Sequence, residues 1–255
     1  MTTAVDTRSF VDFLVRHGDD NVVLGQRLGE YISYGPELEE DLAVANVALD
    51  HLGVAMHLYE YAAELDESDR DGDWYAMFRS EREFANALLL EQPQPDFAHL
   101  IARSFFFDVY QTLLWEGLST SSDVRLAGIA SRALKEATYH LRHTRSWVVR
   151  LGDGTEESHA RMQAAIDAMW RFTNELFDQP SGDSELMLVG VVGDIGAGRK
   201  RFDGIVVSTL EEATLVAPED SYQASGGRIG MHTEHLGPLL AEMQWMQRSY
   251  PGASW

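Results

Sequence analysis

Two long stretches of this chain carry apolar residues at steps that alternate between four and three. That spacing restricts the fold more than any other feature. The first seam reads Leu38, Leu42, Ala45, Leu49, Leu52, Met56, Tyr59 and Ala63. The second reads Leu126, Ala130, Ala133, Ala137, His140, Thr144, Trp147 and Leu151. Such a repeat keeps one helix face against a neighbouring helix at a shallow, left-handed crossing. Both seams are therefore expected in a core. Only seven prolines interrupt 255 residues, and most fall between the periodic stretches, so an all-helical chain is predicted.

The remaining elements follow in order. A helical region covers about Thr7 to Ser33, with a break expected at His17-Gly18-Asp19-Asp20, where Asp19 or Asp20 would cap a second piece. Pro36 opens the long helix of the first seam, and Glu37, Glu39, Glu40 and Asp41 stand at its positive end. A shorter helix is predicted from Trp74 to Leu90. Asp96 caps the next, which runs to Leu118, and its Phe105-Phe106-Phe107 run demands burial around much of its circumference. After the second seam come helices over about Thr155–Phe177 and Arg199–Leu215. A last one carries His232, Leu236, Leu239, Met243, Met246 and Tyr250 on one face. Pro180 to Gly198 is glycine-rich and poorly patterned. The expected fold is all-α: a ferritin-like four-helix bundle with additional flanking helices, as a single domain over residues 1–255.

Composition removes several classes of function. There are no cysteines, so disulfides and thiolate metal sites are excluded, and a cytoplasmic location is expected. The formal charge of −21 argues against a nucleic-acid partner. Neither a secretory leader nor an apolar run of membrane-spanning length is apparent, so no membrane partner is expected. Gly190 to Gly198 lacks the Lys-Ser/Thr of a phosphate loop.

The chemistry worth testing lies at the centre of the second seam. Glu136 and His140 first suggest half of a carboxylate-bridged metal site. Such a site needs a carboxylate from each of two helices and a Glu-x-x-His pair from each of two others. Here the residue three before His140 is Ala137, and Leu52 and Ala55 occupy the long helix where a second pair would sit. His140 is therefore expected as a buried histidine bonded to Asp108 or Glu30, with Arg27 and Lys135 as further partners for Asp108. The rival is an independent metalloenzyme using Glu30, Asp108, Glu136 and His140. His232 and His235, three apart at a helix start, are expected at the surface or in a cap.

Several segments resemble a known family. Leu24 to Glu30, Gly35 to Glu39, Asp41-Leu42-Ala43, Leu88 to Pro93, Lys135-Glu136-Ala137, Tyr139 to Arg142 and Trp170-Arg171-Phe172 are similar to the PaaC-type subunit of bacterial phenylacetyl-CoA epoxidase. So is His232 to Pro238 with Ala241 to Gln244. The resemblance implies a heteromeric oxygenase of phenylacetate catabolism that epoxidises the aromatic ring of phenylacetyl-CoA. In it a catalytic ferritin-like paralogue holds the di-iron centre, and a separate reductase delivers electrons from NADPH. On the paralogue's ligand pattern, Glu30, Asp108 and His140 keep the ligand type, while Leu52, Ala55 and Ala137 replace Glu, His and Glu. The resemblance thus implies a degenerate di-iron site and a structural subunit that binds no cofactor itself. It also places Glu83, Phe84, Ala85 and Asn86, with Ser184, Glu185 and Leu186, near the CoA ester at the subunit interface.

Overall fold

A computed structural model describes residues 6–219 and 222–253. Every regular element among them is helical. The chain gathers into two compact units and changes unit four times: residues 1–93, 180–186 and 226–255 form the first, residues 94–179 and 187–225 the second.

The first unit is built on an antiparallel hairpin of α1 (Thr7–Glu30) and α2 (Leu38–Leu65). Asp6 caps α1 by accepting the Ser9 amide at 3.0 Å. The turn into α2 is held by Asp41 Oδ1, which accepts the amides of Ser33 and Gly35 at 3.1 and 2.9 Å. The break expected at His17–Asp20 does not occur: α1 is continuous, and Asp19 and Asp20 are buried in its interior. A pair of aspartates after Gly18 reads as a cap only if their carboxylates turn back to the backbone. Here they are taken by cations from distant segments. Gly18 serves packing instead, because a Cβ there would lie 2.4 Å from the Tyr59 ring of α2.

The helix expected over Trp74–Leu90 is also broken. It becomes α3 (Gly72–Met77), a 3₁₀ turn at Glu81–Glu83 and the short α4 (Leu88–Glu91). The amides of Ala85 and Ala87 donate to the carboxylates of Asp19 and Asp20, at 2.8 and 2.9 Å, rather than up a helix. The C-terminal α10 (Leu236–Ser249) completes the unit, with the Gln244 side chain donating to the carbonyls of Ala76 and Arg79.

The second unit is organised on α5 (Phe97–Leu118) and α6 (Val124–Gly152), capped by Asp96 and Asp123. α5 is buried around most of its circumference, as its three phenylalanines require. Phe106 packs on Trp170, at 5.7 Å between ring centroids, and on Phe202. These rings belong to α7 (Glu156–Trp170) and α9 (Arg199–Glu212). Between them the least-patterned stretch contains only the short α8 (Asp183–Leu188) and a 3₁₀ turn at Gly196–Gly198. The buried face of α6 is Leu126, Ala130, Ala133, Ala137, His140, Thr144, Val148 and Gly152. Six members of the expected seam are thus inside. At the end Val148 and Gly152 replace Trp147 and Leu151, because a 3.6-residue turn drifts away from a strict 3.5 repeat.

The first seam has a different outcome. Leu38, Leu42, Leu49 and Met56 of α2 are 69, 57, 65 and 48 % exposed. The buried face of α2 runs instead through Val44, Ala48, His51, Ala55, Leu58 and Ala62. By length and composition, α2 is also apolar enough to cross a membrane, contrary to the sequence expectation that no stretch is.

Candidate functional site

α5 and α6 bring Asp108, His140 and Thr144 together inside the second unit, all three buried. Residues 140 and 144 are one turn apart and share a face. The Thr144 hydroxyl donates to Asp108 Oδ2 at 2.8 Å and stands 3.1 Å from the His140 carbonyl oxygen. A ring nitrogen of His140 lies within 4.8 Å of an Asp108 carboxylate oxygen. Burial pushes the Asp108 carboxyl well above its ordinary range, with the Thr144 hydrogen bond pulling weakly the other way. Burial thus favours the neutral form of this carboxyl over its charged form.

A group whose folded pKa is raised contributes stability that is complete below its unfolded value and lost as pH rises through the folded one. Asp108→Asn keeps the shape and the acceptor while removing the ionisation. The variant is expected to melt a few degrees higher than wild type at pH 8, and no higher at pH 3.5. Melting curves across that range, followed by circular dichroism, provide the check.

The other ligand-type positions lie elsewhere. Glu30 is exposed at the end of α1, where Arg27 Nη1 donates to both carboxylate oxygens at 2.7 and 3.1 Å. It is not the buried carboxylate expected. Arg27 also donates to the carbonyls of Glu91 and His235. Lys135 is exposed. Glu136 forms an outward i,i+4 pair with Arg132 rather than sharing the buried face of His140. Within the second unit, Asp108 and His140 offer one carboxylate and one imidazole, too few for a bridged pair of irons. Ala137 is buried beside them and has no donor.

The densest polar cluster is in the first unit, and sequence reasoning did not foresee it. Asp19 accepts from Arg79, from the Tyr59 hydroxyl at 2.5 Å and from the Ala85 amide. Burial and the adjacent Asp19 push the Tyr59 phenol up, so it stays a donor. Asp20 accepts Arg228 at 2.8 Å and the Ala87 amide, and lies 3.6 Å from His17. Burial holds His17 down at about 4, so its ring is neutral. Glu91, fully buried, accepts Asn86 at 3.0 Å, His232 Nδ1 at 2.9 Å, and both the amide and hydroxyl of Thr233.

The two histidines of the His232-x-x-His235 motif separate: His235 is the half-buried N-cap residue of α10, as a surface or capping role requires, whereas His232 is neither at the surface nor in a cap. The His232 side chain is fully enclosed, with Nε2 against the Phe84 carbonyl at 2.9 Å. With Nδ1 against Glu91 Oε2 and Nε2 against that carbonyl, both contacts favour the protonated ring and raise its pKa.

The residues expected near a CoA ester all fall in the first unit. Phe84 and Asn86 face inward, the former under the Arg79 guanidinium at 4.3 Å. Glu83 closes a capping box with Ser80. Leu186 is buried, while Ser184 and Glu185 are exposed.

The long hairpins, and a buried Asp–His pair on α5 and α6, place the chain among the ferritin-like all-α proteins. The profile of the family described as "Phenylacetic acid catabolic protein" matches residues 1–255. The chain is 47% identical over 243 residues to the C-type subunit of the 1,2-phenylacetyl-CoA epoxidase of Escherichia coli (strain K12), covering 95% of this chain and 98% of that protein. The chain belongs to the phenylacetic acid catabolic protein family.

Proposed function

We propose that this chain is a non-catalytic, structural subunit of a phenylacetyl-CoA epoxidase. In this reading it supports a separate di-iron catalytic subunit, to which a reductase delivers electrons from NADPH. The observation that carries the reading is the donor set. Positions 52, 55 and 137 hold Leu, Ala and Ala, and the Glu30 carboxylate is committed to Arg27. Bridged irons need several carboxylates to balance their charge, and these helices do not provide them. His140, Asp108 and Thr144 act as a buried polar contact between α5 and α6.

The rival metalloenzyme would recruit Glu30 and Glu136 with Asp108 and His140, but both glutamates are already paired with arginines. A contact with the CoA ester through the segment 83–86 would rely on Glu83 and the Ala85 backbone, because Phe84 and Asn86 are enclosed.

The test is direct. Purified chain loaded with ferrous iron under anaerobic conditions is expected to retain well below one equivalent after desalting. It is also expected to give no epoxide from phenylacetyl-CoA on its own, and to raise turnover when added to the catalytic subunit and reductase. Stoichiometric tight iron, or turnover by the chain alone, overturns the proposal.

A further inference from the structure

α2 carries an 18-residue window as apolar as a membrane-spanning helix, yet only 39% of that window is buried. A helix of that kind in a soluble assembly is covered on all sides. Exposed Leu38, Leu42, Leu49 and Met56 form one stripe, with half-buried Ala45 and Leu52 between them at steps of three and four. At its C-terminal end the stripe runs into a groove of about 530 Å³ beside α3, lined by Leu52, Met56 and Met77. Glu60, Asp71 and Asp73 border that groove. Glu37, Glu39 and Glu40 flank the other end of the stripe.

We infer that this face of α2 is the docking surface for another subunit of the epoxidase, and that the docked element is a helix with apolar side chains bordered by Lys or Arg. The inference rests on the structural-subunit reading above and adds the surface and the chemistry of its complement. Charge selects this occupant. α2 contains no Lys or Arg, and among the described residues no Lys or Arg pairs with Glu60, Asp71 or Asp73. A second copy of the chain would bring the same acidic borders together in a molecule already at −21, and like charges across an interface are strongly disfavoured. An anionic bilayer is disfavoured for the same reason, since helices that lie on membranes carry Lys and Arg on the face next to the apolar one. A helix with a basic border satisfies both features: its apolar side chains fill the stripe, and one cation can sit at the groove between Glu60 and Asp73. The stripe then forms the dry centre and the carboxylates the polar rim of a standard interface.

The experiment uses full-length chain and the purified catalytic subunit, with affinity measured by calorimetry and mass by sedimentation. Leu42→Glu and Leu49→Glu place charges in the exposed stripe and should leave the melting temperature of the isolated chain unchanged. Each is expected to weaken binding at least about thirtyfold, the loss typical of a central interface residue. The double reversal Glu60→Lys with Asp73→Lys is expected to weaken it about tenfold at low salt, and less at high salt. Val124→Glu, an exposed apolar position on α6, is the control and should bind like wild type. If wild type binds the catalytic subunit and both leucine variants bind equally well, the α2 surface is overturned while the structural-subunit reading stands. If wild type does not bind at all, both fall. Stripe-dependent dimerisation of the chain alone, or stripe-dependent binding to phosphatidylglycerol vesicles, overturns the proposed partner.

Discussion

Glu91→Ala should cost the first unit about 3–5 kcal/mol, the usual penalty for removing one partner of a buried ion pair. For a chain of this size that corresponds to a fall in melting temperature of roughly 10 °C. The Glu91 carboxylate gathers four donors from two segments far apart in sequence: Asn86 Nδ2, His232 Nδ1, and the amide and hydroxyl of Thr233. Its removal leaves an imidazolium enclosed without a counter-charge. It also frees the His232–Thr233 segment that leads into α10.

The same pair gives a pH signature. Burial alone would lower the His232 pKa, but the hydrogen bonds to Glu91 and to the Phe84 carbonyl outweigh it and raise the value above 6.5. A histidine with a raised folded pKa contributes stability that is complete below its unfolded value and lost as pH rises through the folded one. Wild type should therefore lose stability between neutral and mildly alkaline pH through this residue. Glu91→Gln and His232→Gln should both start lower and show a flatter profile over that interval. Chemical denaturation at a series of pH values, with the slope compared between variants, decides it. An unchanged slope in His232→Gln would show that the ring is not protonated.

The contrast between the two helical seams shows what periodicity can and cannot report. In α6 the four-three spacing located the buried face through Thr144. In α2 the same spacing found a stripe whose Leu38, Leu42, Leu49 and Met56 are exposed and whose Tyr59 is buried. Period alone tells which side chains share a face, not which face a chain covers with its own residues. The face that α2 does bury is made of smaller residues, Val44, Ala48 and Ala55 among them, and these allow close approach to α1. Gly25 shows the closeness, since a Cβ there would lie 3.0 Å from Leu52 and 3.2 Å from the Ala48 carbonyl.

The all-helical class was legible from the apolar spacing and the few prolines. The bounds of α5 followed from Asp96, whose capping role is local in sequence. The breaks between residues 77 and 88 were not legible, because they depend on carboxylates more than sixty residues earlier. Asp108 and His140 were expected as a pair, and they do approach. Glu30 was misplaced, because sequence alone does not reveal that Arg27 one turn earlier holds it at the surface. The Asp19, Asp20 and Glu91 clusters were missed for a common reason. Each joins acids and cations that are remote in sequence, and the single local signal was two adjacent aspartates inside an apolar helix.

Asp19→Ala is the second large effect expected. Asp19 is buried and every acceptor direction is used: Arg79 bridges both oxygens, Tyr59 donates to one and the Ala85 amide to the other. Arg79 is equally committed, donating to the carbonyls of Tyr75 and Glu83 at 2.6 and 2.8 Å. Truncating Asp19 leaves a guanidinium in an aromatic enclosure of Tyr59, Tyr75 and Phe84 with no counter-ion. A loss of about 3–5 kcal/mol is expected. Asp19→Asn should lose less, since it keeps the shape and one acceptor, and Arg79→Lys should lose nearly as much as Asp19→Ala, because an ammonium cannot reproduce the two-oxygen contact. The double variant Asp19→Ala with Arg79→Met should recover part of the loss, because removing both charges relieves the uncompensated one. Urea titrations of the four proteins test this order. Equal losses in the single and double variants would show that packing around Tyr59, rather than the ion pair, holds α3 against α1.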